Sequence, residues 1–179
     1  MPVGKKKAWS RSSQKQRLDS LIGGLASNCP TERQKSREKL VAIGHAAIIP
    51  LLHKLNDPVE HVRWEAAKAL DAIGDSAAVD ALVEALSDAS EDVRWVAGEA
   101  LTGLGWDAVK QVLLALLRNA SSNEVCAGAH HVLSHFANRK SGQFLKPVLA
   151  GLRGYEPGVN VPPAALAALD FLRTSRPIR

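Results

Sequence analysis

Apolar side chains recur along this chain at the three- and four-residue spacing of an amphipathic helix. In one segment the apolar stripe is formed by Val62, Ala66, Ala69, Leu70 and Ile73. A second stripe runs from Val79 to Leu86, after a glycine that can end the first helix in the left-handed conformation. Two consecutive stripes of this kind predict a hairpin of two helices that pack on each other through their apolar faces.

The predicted hairpin occurs several times in the chain. The phrase VRWEAAKAL at residues 62–70 returns as VRWVAGEAL at residues 93–101, 31 positions later. A leucine near the centre of each unit extends the series at intervals of 30, 31 and 32 residues, at Leu40, Leu70, Leu101 and Leu133. A period of this length predicts stacked repeats and not a globular domain around one central core.

Helix-start signals agree with the hydrophobic pattern. Asp57 and Pro58 offer an N-cap followed by a proline at the first helical position, and residues 121–124 resemble a capping box. Together these signals predict first helices near 31–43, 59–73, 91–104 and 122–137, second helices near 46–55, 76–87, 106–118 and 141–153, a last helix near 163–173 after Pro162-Pro163, and a capping helix near 12–26.

The repeat phrases resemble a known family. Residues 57–88, DPVEHVRWEAAKALDAIGDSAAVDALVEALSD, are similar to the HEAT-like repeat of the phycobilisome-lyase type, whose units read D-x-x-x-x-V-R-x-x-A-x-x-A-L-x-x-I-G-D. The resemblance is strong over 57–105, fair over 31–56 and 106–137, and weak beyond. In the fourth copy Cys126 replaces the repeat arginine, as expected of a degenerate outer repeat.

The resemblance implies an all-α fold, a right-handed α-α superhelix of four to five helix hairpins. We expect a single HEAT-like repeat domain over residues 11–179, preceded by a flexible basic tail at residues 1–10. The expected repeats lie near 31–56, 57–87, 88–120 and 121–154, with a partial repeat near 160–175.

Composition and charge narrow the function. Hydrophobic residues make up 46% of the chain, but only 4% are aromatic, and alanine and leucine are abundant, which favours helices over strands. Residues 1–40 carry a net charge of +7 and the remaining residues a net charge of −2. The basic run favours a solvated tail over a nucleic-acid-binding arm. No signal peptide or long apolar run is evident, so we expect a cytoplasmic protein without a membrane segment.

Candidate chemistry is sparse. Cys29 and Cys126 do not form a metal knuckle, and His131 and His135 lack a third ligand at readable spacing. HEAT-like deoxyhypusine hydroxylases carry His-Glu pairs after the repeat arginine, and this chain has no such pair. We therefore predict no catalytic, cofactor-binding or metal-binding residue. The resemblance leaves open a bilin chromophore lyase-like activity or a role in antenna degradation.

The predicted function is a non-catalytic protein-protein interaction scaffold. Outward positions on the second helices, expected to form a concave partner-binding face of mixed charge, are Lys54, Asp80, Glu84, Lys110, Gln111 and Lys146. A mixed face suits a protein better than a phosphate backbone, and nucleic-acid binding stays the alternative. Arg63 and Arg94 recur one repeat apart, and so do Asp57 and Asp88. These four residues predict a structural ladder of charge-assisted hydrogen bonds between repeats.

Two tryptophans occupy the same position of adjacent repeats. On a helix that advances 100° per residue, Trp64 lies about 200° from both Val62 and Ala66, so it lies off its own apolar stripe, and Trp95 is placed in the same way. One interpretation is that each ring covers small residues of a neighbouring repeat, at Ala97-Gly98 or Ala127-Gly128. The other is that the two rings form an exposed aromatic ridge that anchors a partner. The recurrence of small residues where a ring could rest, and the need to bury repeat interfaces, favour the packing interpretation.

Overall fold

A computed structural model describes residues 11–175, so the expected tail at residues 1–10 lies outside the described part of the chain. Residues 11–175 form α-helices joined by short turns and 3₁₀ segments, and no strand occurs among them. The helices are α1 (Arg11–Gly24), α2 (Pro30–Ile43), α3 (Ile48–Lys54), α4 (Glu60–Ile73), α5 (Val79–Glu84), α6 (Glu91–Gly103), α7 (Trp106–Asn119), α8 (Asn123–Ala137), α9 (Lys146–Leu152) and α10 (Pro157–Thr174).

The helices stack in two layers. The first helices of the hairpins pack in succession, α2 on α4, α4 on α6 and α6 on α8. Each second helix packs on the next first helix, α3 on α4, α5 on α6 and α7 on α8. The prediction of an all-helical solenoid is confirmed.

The repeat leucines form the centre of the core. Each of them is at most 1% exposed. Burying one leucine side chain stabilises a fold by about 1.5–3 kcal/mol, so a series of leucines at a fixed period joins successive hairpins through one continuous apolar seam. The members of the series are Leu40, Leu70, Leu101 and Leu133.

Helix ends use the predicted residue types at shifted positions. Gly74 is left-handed, with φ 66° and ψ 30°, and its amide donates to the Leu70 carbonyl. The predicted N-cap at Asp57 is wrong, since α4 begins at Glu60 and the Asp57 carboxylate accepts instead from the Val59 amide at 3.0 Å. At the start of α8 the capping side chain belongs to Ser122.

The second helices α3, α5 and α9 are shorter than predicted, whereas α7 ends within one residue of its predicted range. Residues 44–47 and 76–78 form 3₁₀ turns that lead into α3 and α5, and a further 3₁₀ turn at residues 85–87 follows α5. These 3₁₀ turns take up the first or last residues of the predicted helices, as is frequent at helix ends.

The last helix begins earlier than predicted and has a distinct place in the fold. Pro157 stands in its first turn, where an amide donor is not needed, and the helix continues through Pro162 and Pro163. The buried side chains of α10 include Ala165 and Ala168, and the helix packs on both α7 and α9. It therefore covers the apolar face of α7 at the C-terminal end of the second layer.

Candidate interaction surfaces

The arginine at the start of each first helix ties that helix to the loop before it. In every case the side chain donates to the carbonyl six residues earlier. These bonds are Arg33 to Ser27 (3.0 Å), Arg63 to Asp57 (2.9 Å), Arg94 to Asp88 (2.7 Å) and, where cysteine replaces arginine, Cys126 to Ala120 (3.2 Å). Because the thiol keeps the same acceptor, this position acts locally in holding the helix start.

Arg63 also binds a carboxylate of the next repeat. Arg63 Nε lies 2.7 Å from Asp88 Oδ2, and Nη2 lies 2.9 Å from Oδ1 of the same carboxylate. The two side chains are 15% and 9% exposed. Burial raises the pKa of the Asp88 carboxyl, but hydrogen bonds from Arg63 and the Ser90 amide, with the charges of Arg63 and Arg94, hold it below its usual value. This pair is a bidentate link between adjacent repeats.

The predicted ladder does not continue beyond that pair in the described repeats. The Asp57 carboxylate is bound by Lys54 of its own loop, at 2.7 Å from Nζ to Oδ2. Arg94 donates to the carbonyls of Asp88 and Ala89, and Ala120 stands in the next repeat where a carboxylate is required. The ladder was predicted from recurrence alone, and recurrence did not show which acids already had a nearer partner.

The predicted second-helix face is polar and mostly exposed. Its exposed members are Asp80, Glu84, Lys110 and Lys146, whereas Lys54 and Gln111 are half-buried. Glu84 borders a cavity of about 210 Å³ that Leu55 and Asn56 also line. Lys54 is held by Asp57, so it is less available to a partner than the spacing suggested.

Trp64 is covered by the repeat that precedes it. The ring is half-buried and packs against the core. The guanidinium carbon of Arg37, from α2, lies 5.6 Å from the ring centroid. Arg37 also donates to the carboxylate of Glu65, which is 4% exposed, and Arg33 lies 3.5 Å from the same group. Two arginines therefore neutralise the one buried acid at this junction, and one of them shields Trp64.

Trp95 is open to solvent. The residue is 59% exposed, and its ring contacts His131 of α8 with a centroid distance of 4.7 Å. His131 Nε2 lies 2.7 Å from Glu99 Oε1. A Cβ on Gly98 would lie only 3.0 Å from His131 Cδ2, so the glycine leaves room for the imidazole.

The packing interpretation is wrong for Trp95. A ring was expected on the small residues of the neighbouring repeats, but the two glycines have other neighbours. Gly98 faces His131, and a Cβ on Gly128 would lie 2.9 Å from Leu86 Cδ2. Gly128 thus allows α8 to approach Leu86, a buried leucine of the repeat at residues 57–87, and the indole is left at the surface.

Three acidic residues lie on the same face of α6 as the exposed indole. Glu91 and Asp92 precede Trp95 by four and three residues, and Glu99 follows it by four. Residues at these spacings share one face of a helix, and all three acids are exposed. Sequence analysis missed this grouping, although the spacing alone carries the signal.

The other candidate groups are separate from one another. His131 faces Glu99, whereas His135 Nε2 lies 2.9 Å from Arg139 Nη2, so the two imidazoles have different partners. Within residues 11–175 no group of three or more histidine, cysteine, aspartate or glutamate side chains is placed to hold a metal ion. None of the helices in that range is both long and apolar enough to cross a membrane.

Comparison with known proteins places the repeats among described families. The family profile described as HEAT repeats matches the chain twice, over residues 18–102 and 79–151. No curated protein sequence matches the chain significantly. The chain is similar to a designed armadillo repeat protein in complex with the peptide (KR)4, with 22% identity, 90% of this chain and 93% of that chain covered, and a TM-score of 0.43. A second designed armadillo repeat protein gives 21% identity, 86% and 98% coverage, and a TM-score of 0.40.

Proposed function

Since the chain belongs to the HEAT repeat family, we propose that it is a non-catalytic scaffold that holds another protein on the surface of its solenoid. The observation that carries this proposal is the exposure of Trp95, at 59%, on a helix packed between two neighbours of the first layer. Tryptophan is a favoured anchor at protein interfaces because it buries a large area at low conformational cost. The predicted face on the second helices is the other candidate surface for the same function.

The experiment compares partner capture by matched variants. The full chain, a Trp95→Ala variant and an Asp80→Asn/Glu84→Gln variant are immobilised, and retained proteins from the source organism are quantified by mass spectrometry. We expect the proteins enriched on the unmodified chain to be lost with Trp95→Ala and kept by the second-helix variant. Loss with the second-helix variant alone would move the partner site to that face, and no enrichment on any form would overturn the scaffold proposal.

The narrower assignments remain alternatives. Membership of the phycobilisome-lyase type rests on the repeat phrase of residues 57–105, and a bilin lyase-like or antenna-degradation function rests on the same resemblance. Incubation with a bilin and an apo-phycobiliprotein tests the lyase alternative, through covalent chromophore absorbance. Nucleic-acid binding is less well supported, because the chain beyond residue 40 has a net charge of −2.

A further inference from the structure

The junction between the first two repeats shows which side chain packs on a tryptophan at this position of the repeat. At Trp64 the guanidinium of Arg37 lies over the ring and is held at the same time by the Glu65 carboxylate. Attraction between a guanidinium and the negative face of an indole, assisted by a carboxylate, is a favourable and directional arrangement. A contact of arginine, tryptophan and carboxylate therefore already joins two repeats of this chain.

The second junction has the tryptophan but not the arginine. Counted back from the repeat leucines Leu40 and Leu70, the position of Arg37 is taken in the next repeat by Ala67, which is fully buried. Alanine cannot reach the ring, and within residues 11–175 no guanidinium lies over Trp95. Among the aromatic rings of residues 11–175, His131 is the one that contacts the Trp95 ring.

The basic side chains closest to Trp95, in sequence or at equivalent positions of neighbouring repeats, already have hydrogen-bond or ion-pair partners. Lys68 lies 3.6 Å from Asp71 on its own helix. Arg94 donates to two loop carbonyls, and His131 is bound to Glu99. On the exposed face of α6 around Trp95, the acidic side chains therefore outnumber the basic side chains that residues 11–175 place there.

We infer that the face of α6 formed by Trp95, Glu99, Asp92 and Glu91 binds an arginine side chain from a basic segment of the partner protein. The inference rests on the proposed scaffold function and specifies its chemistry. The guanidinium lies on the exposed indole, as Arg37 does on Trp64, and its N–H groups donate to the neighbouring carboxylates. Arginine is preferred to lysine because a planar guanidinium both stacks on the ring and donates in two directions.

Binding of defined peptides to the full chain tests the inference. The probes are an octapeptide of alternating arginine and glycine, its lysine counterpart, and its citrulline counterpart, which keeps the shape of arginine without the charge. We expect the arginine peptide to bind more tightly than the lysine peptide and the citrulline peptide not to bind measurably, by calorimetry at low ionic strength.

Matched variants locate the bound side chain. Trp95→Ala is expected to lower the affinity for the arginine peptide about tenfold, which corresponds to about 1.4 kcal/mol. Glu99→Gln is expected to lower it about fivefold, as for an exposed ion pair. The charge-matched control Glu84→Gln, on the second-helix face, is expected to change the affinity less than about twofold.

A second measurement does not depend on the variants. In the unmodified chain, the arginine peptide is expected to shift the NMR signal of the Trp95 indole N–H while the Trp64 signal stays in place, because Arg37 already covers that ring. Equal binding of the citrulline peptide, or an unmoved Trp95 signal with bound peptide, would overturn the inference.

Failure of this inference is distinguishable from failure of the scaffold proposal. If Trp95→Ala still loses captured proteins but the arginine peptide does not bind, the Trp95 surface holds a partner through other chemistry. If the arginine peptide does not bind and no protein is enriched on any form of the chain, both proposals fall.

Discussion

Trp64 and Trp95 stand at equivalent positions of adjacent repeats, yet their environments differ because of a third residue outside the repeat phrase. Arg37 of the preceding helix covers Trp64, and the equivalent position before Trp95 is Ala67. The difference follows from what a neighbouring repeat supplies, and not from the phrase in which the tryptophan occurs. An identical motif can therefore be structural in one repeat and exposed in the next.

The two tryptophans are expected to differ in their contribution to stability. Trp64→Ala removes a half-buried ring that packs against the core, and should lower the free energy of unfolding by at least about 1.5 kcal/mol. Trp95→Ala removes a ring that is 59% exposed, and should change it by no more than about 0.5 kcal/mol. Urea unfolding followed by circular dichroism measures both, and equal losses for the two variants would contradict the assigned environments.

The Arg63–Asp88 link is expected to stabilise the fold in a pH-dependent way. The pKa of Asp88 is lowered in the folded state by its hydrogen bonds and charged neighbours, which outweigh the effect of burial. A carboxyl with a lowered folded-state pKa contributes stability above its unfolded pKa of about 4, and that contribution is lost as the pH falls through the folded-state pKa. Asp88→Asn should therefore cost about 1–3 kcal/mol at pH 7 and progressively less below about pH 4.

Urea unfolding of the unmodified chain and of Asp88→Asn at several pH values between 7 and 3 measures that difference. Asp80→Asn, at an exposed position of α5, is the matched control and should show no such trend. A stability difference for Asp88→Asn that stays constant down to pH 3 would show that the carboxylate charge is not what the link requires.

Part of the candidate site could be predicted from the sequence, whereas the rest depends on contacts between repeats. The recurrence of Trp95 and its place off the apolar stripe could be read directly, and so could the helical spacing of Asp92 and Glu99. The approach of His131 across the repeat junction could not, because it depends on the space left by Gly98 and on the register between α6 and α8. Contacts between repeats are set by packing that a single-repeat pattern does not describe.

At the scale of elements, the turn after α8 depends on a residue without a side chain. A Cβ on Gly142 would stand 2.0 Å from the Phe136 carbonyl oxygen and 2.6 Å from its carbonyl carbon. These are backbone atoms of α8, so the clash cannot be relieved by moving a side chain. The glycine allows the 3₁₀ segment of residues 140–145 to fold back on the end of α8.

Gly142→Ala should therefore destabilise the protein by about 1–3 kcal/mol, through forced displacement of the backbone at this turn. The matched control is Gly103→Ala at the end of α6, where nothing lies within 4 Å of the added carbon. Since alanine favours helix over glycine by up to about 1 kcal/mol, the control should be neutral or stabilising. Thermal unfolding distinguishes the two, and similar melting temperatures for both variants would mean that the turn can rearrange at little cost.

Helix existence followed from the sequence more reliably than helix extent. The repeat period and the helix-start signals placed α2, α4, α6 and α8 within a residue or two of their ends, although α2 buries only Leu40. The second helices α3, α5 and α9 have 3₁₀ turns next to their ends, which leave the same apolar spacing nearly unchanged and so give no separate signal. The start of α10 was missed because Pro162 and Pro163 were read as punctuation, whereas both lie inside the helix.

At the scale of the whole molecule, the basic character of the first 40 residues is partly internal. Arg33 and Arg37 both approach the buried Glu65 of the next repeat, and Arg33 also donates to a loop carbonyl. These arginines hold repeats together and are not free to contact phosphates. This use of two arginines lowers the positive charge that the segment can offer to a nucleic acid, and residues 41–179 carry a net charge of −2.

The position of α10 predicts how a local change spreads through the solenoid. Stacked repeats contact mainly their neighbours, so a disturbance should stay near its origin. However, α10 packs on α7 as well as on α9, and it thereby joins the last two hairpins into one unit. Ala165 is fully buried in α10, and Ala165→Asp would place a charge without a partner in that interface. We expect a loss of about 3–5 kcal/mol.

Hydrogen exchange measured by mass spectrometry shows which helices lose stability in Ala165→Asp. Amide protection should fall in α7 through α10 and remain close to that of the unmodified chain in α2 through α4, since α10 packs mainly on α7 and α9. Ala167→Asp places the same charge two residues further along α10 at an exposed position, and should leave protection unchanged in both regions. If Ala165→Asp lowered protection evenly from α2 to α10, the solenoid would unfold as a single cooperative unit, and α10 would stabilise the whole molecule and not only its C-terminal half.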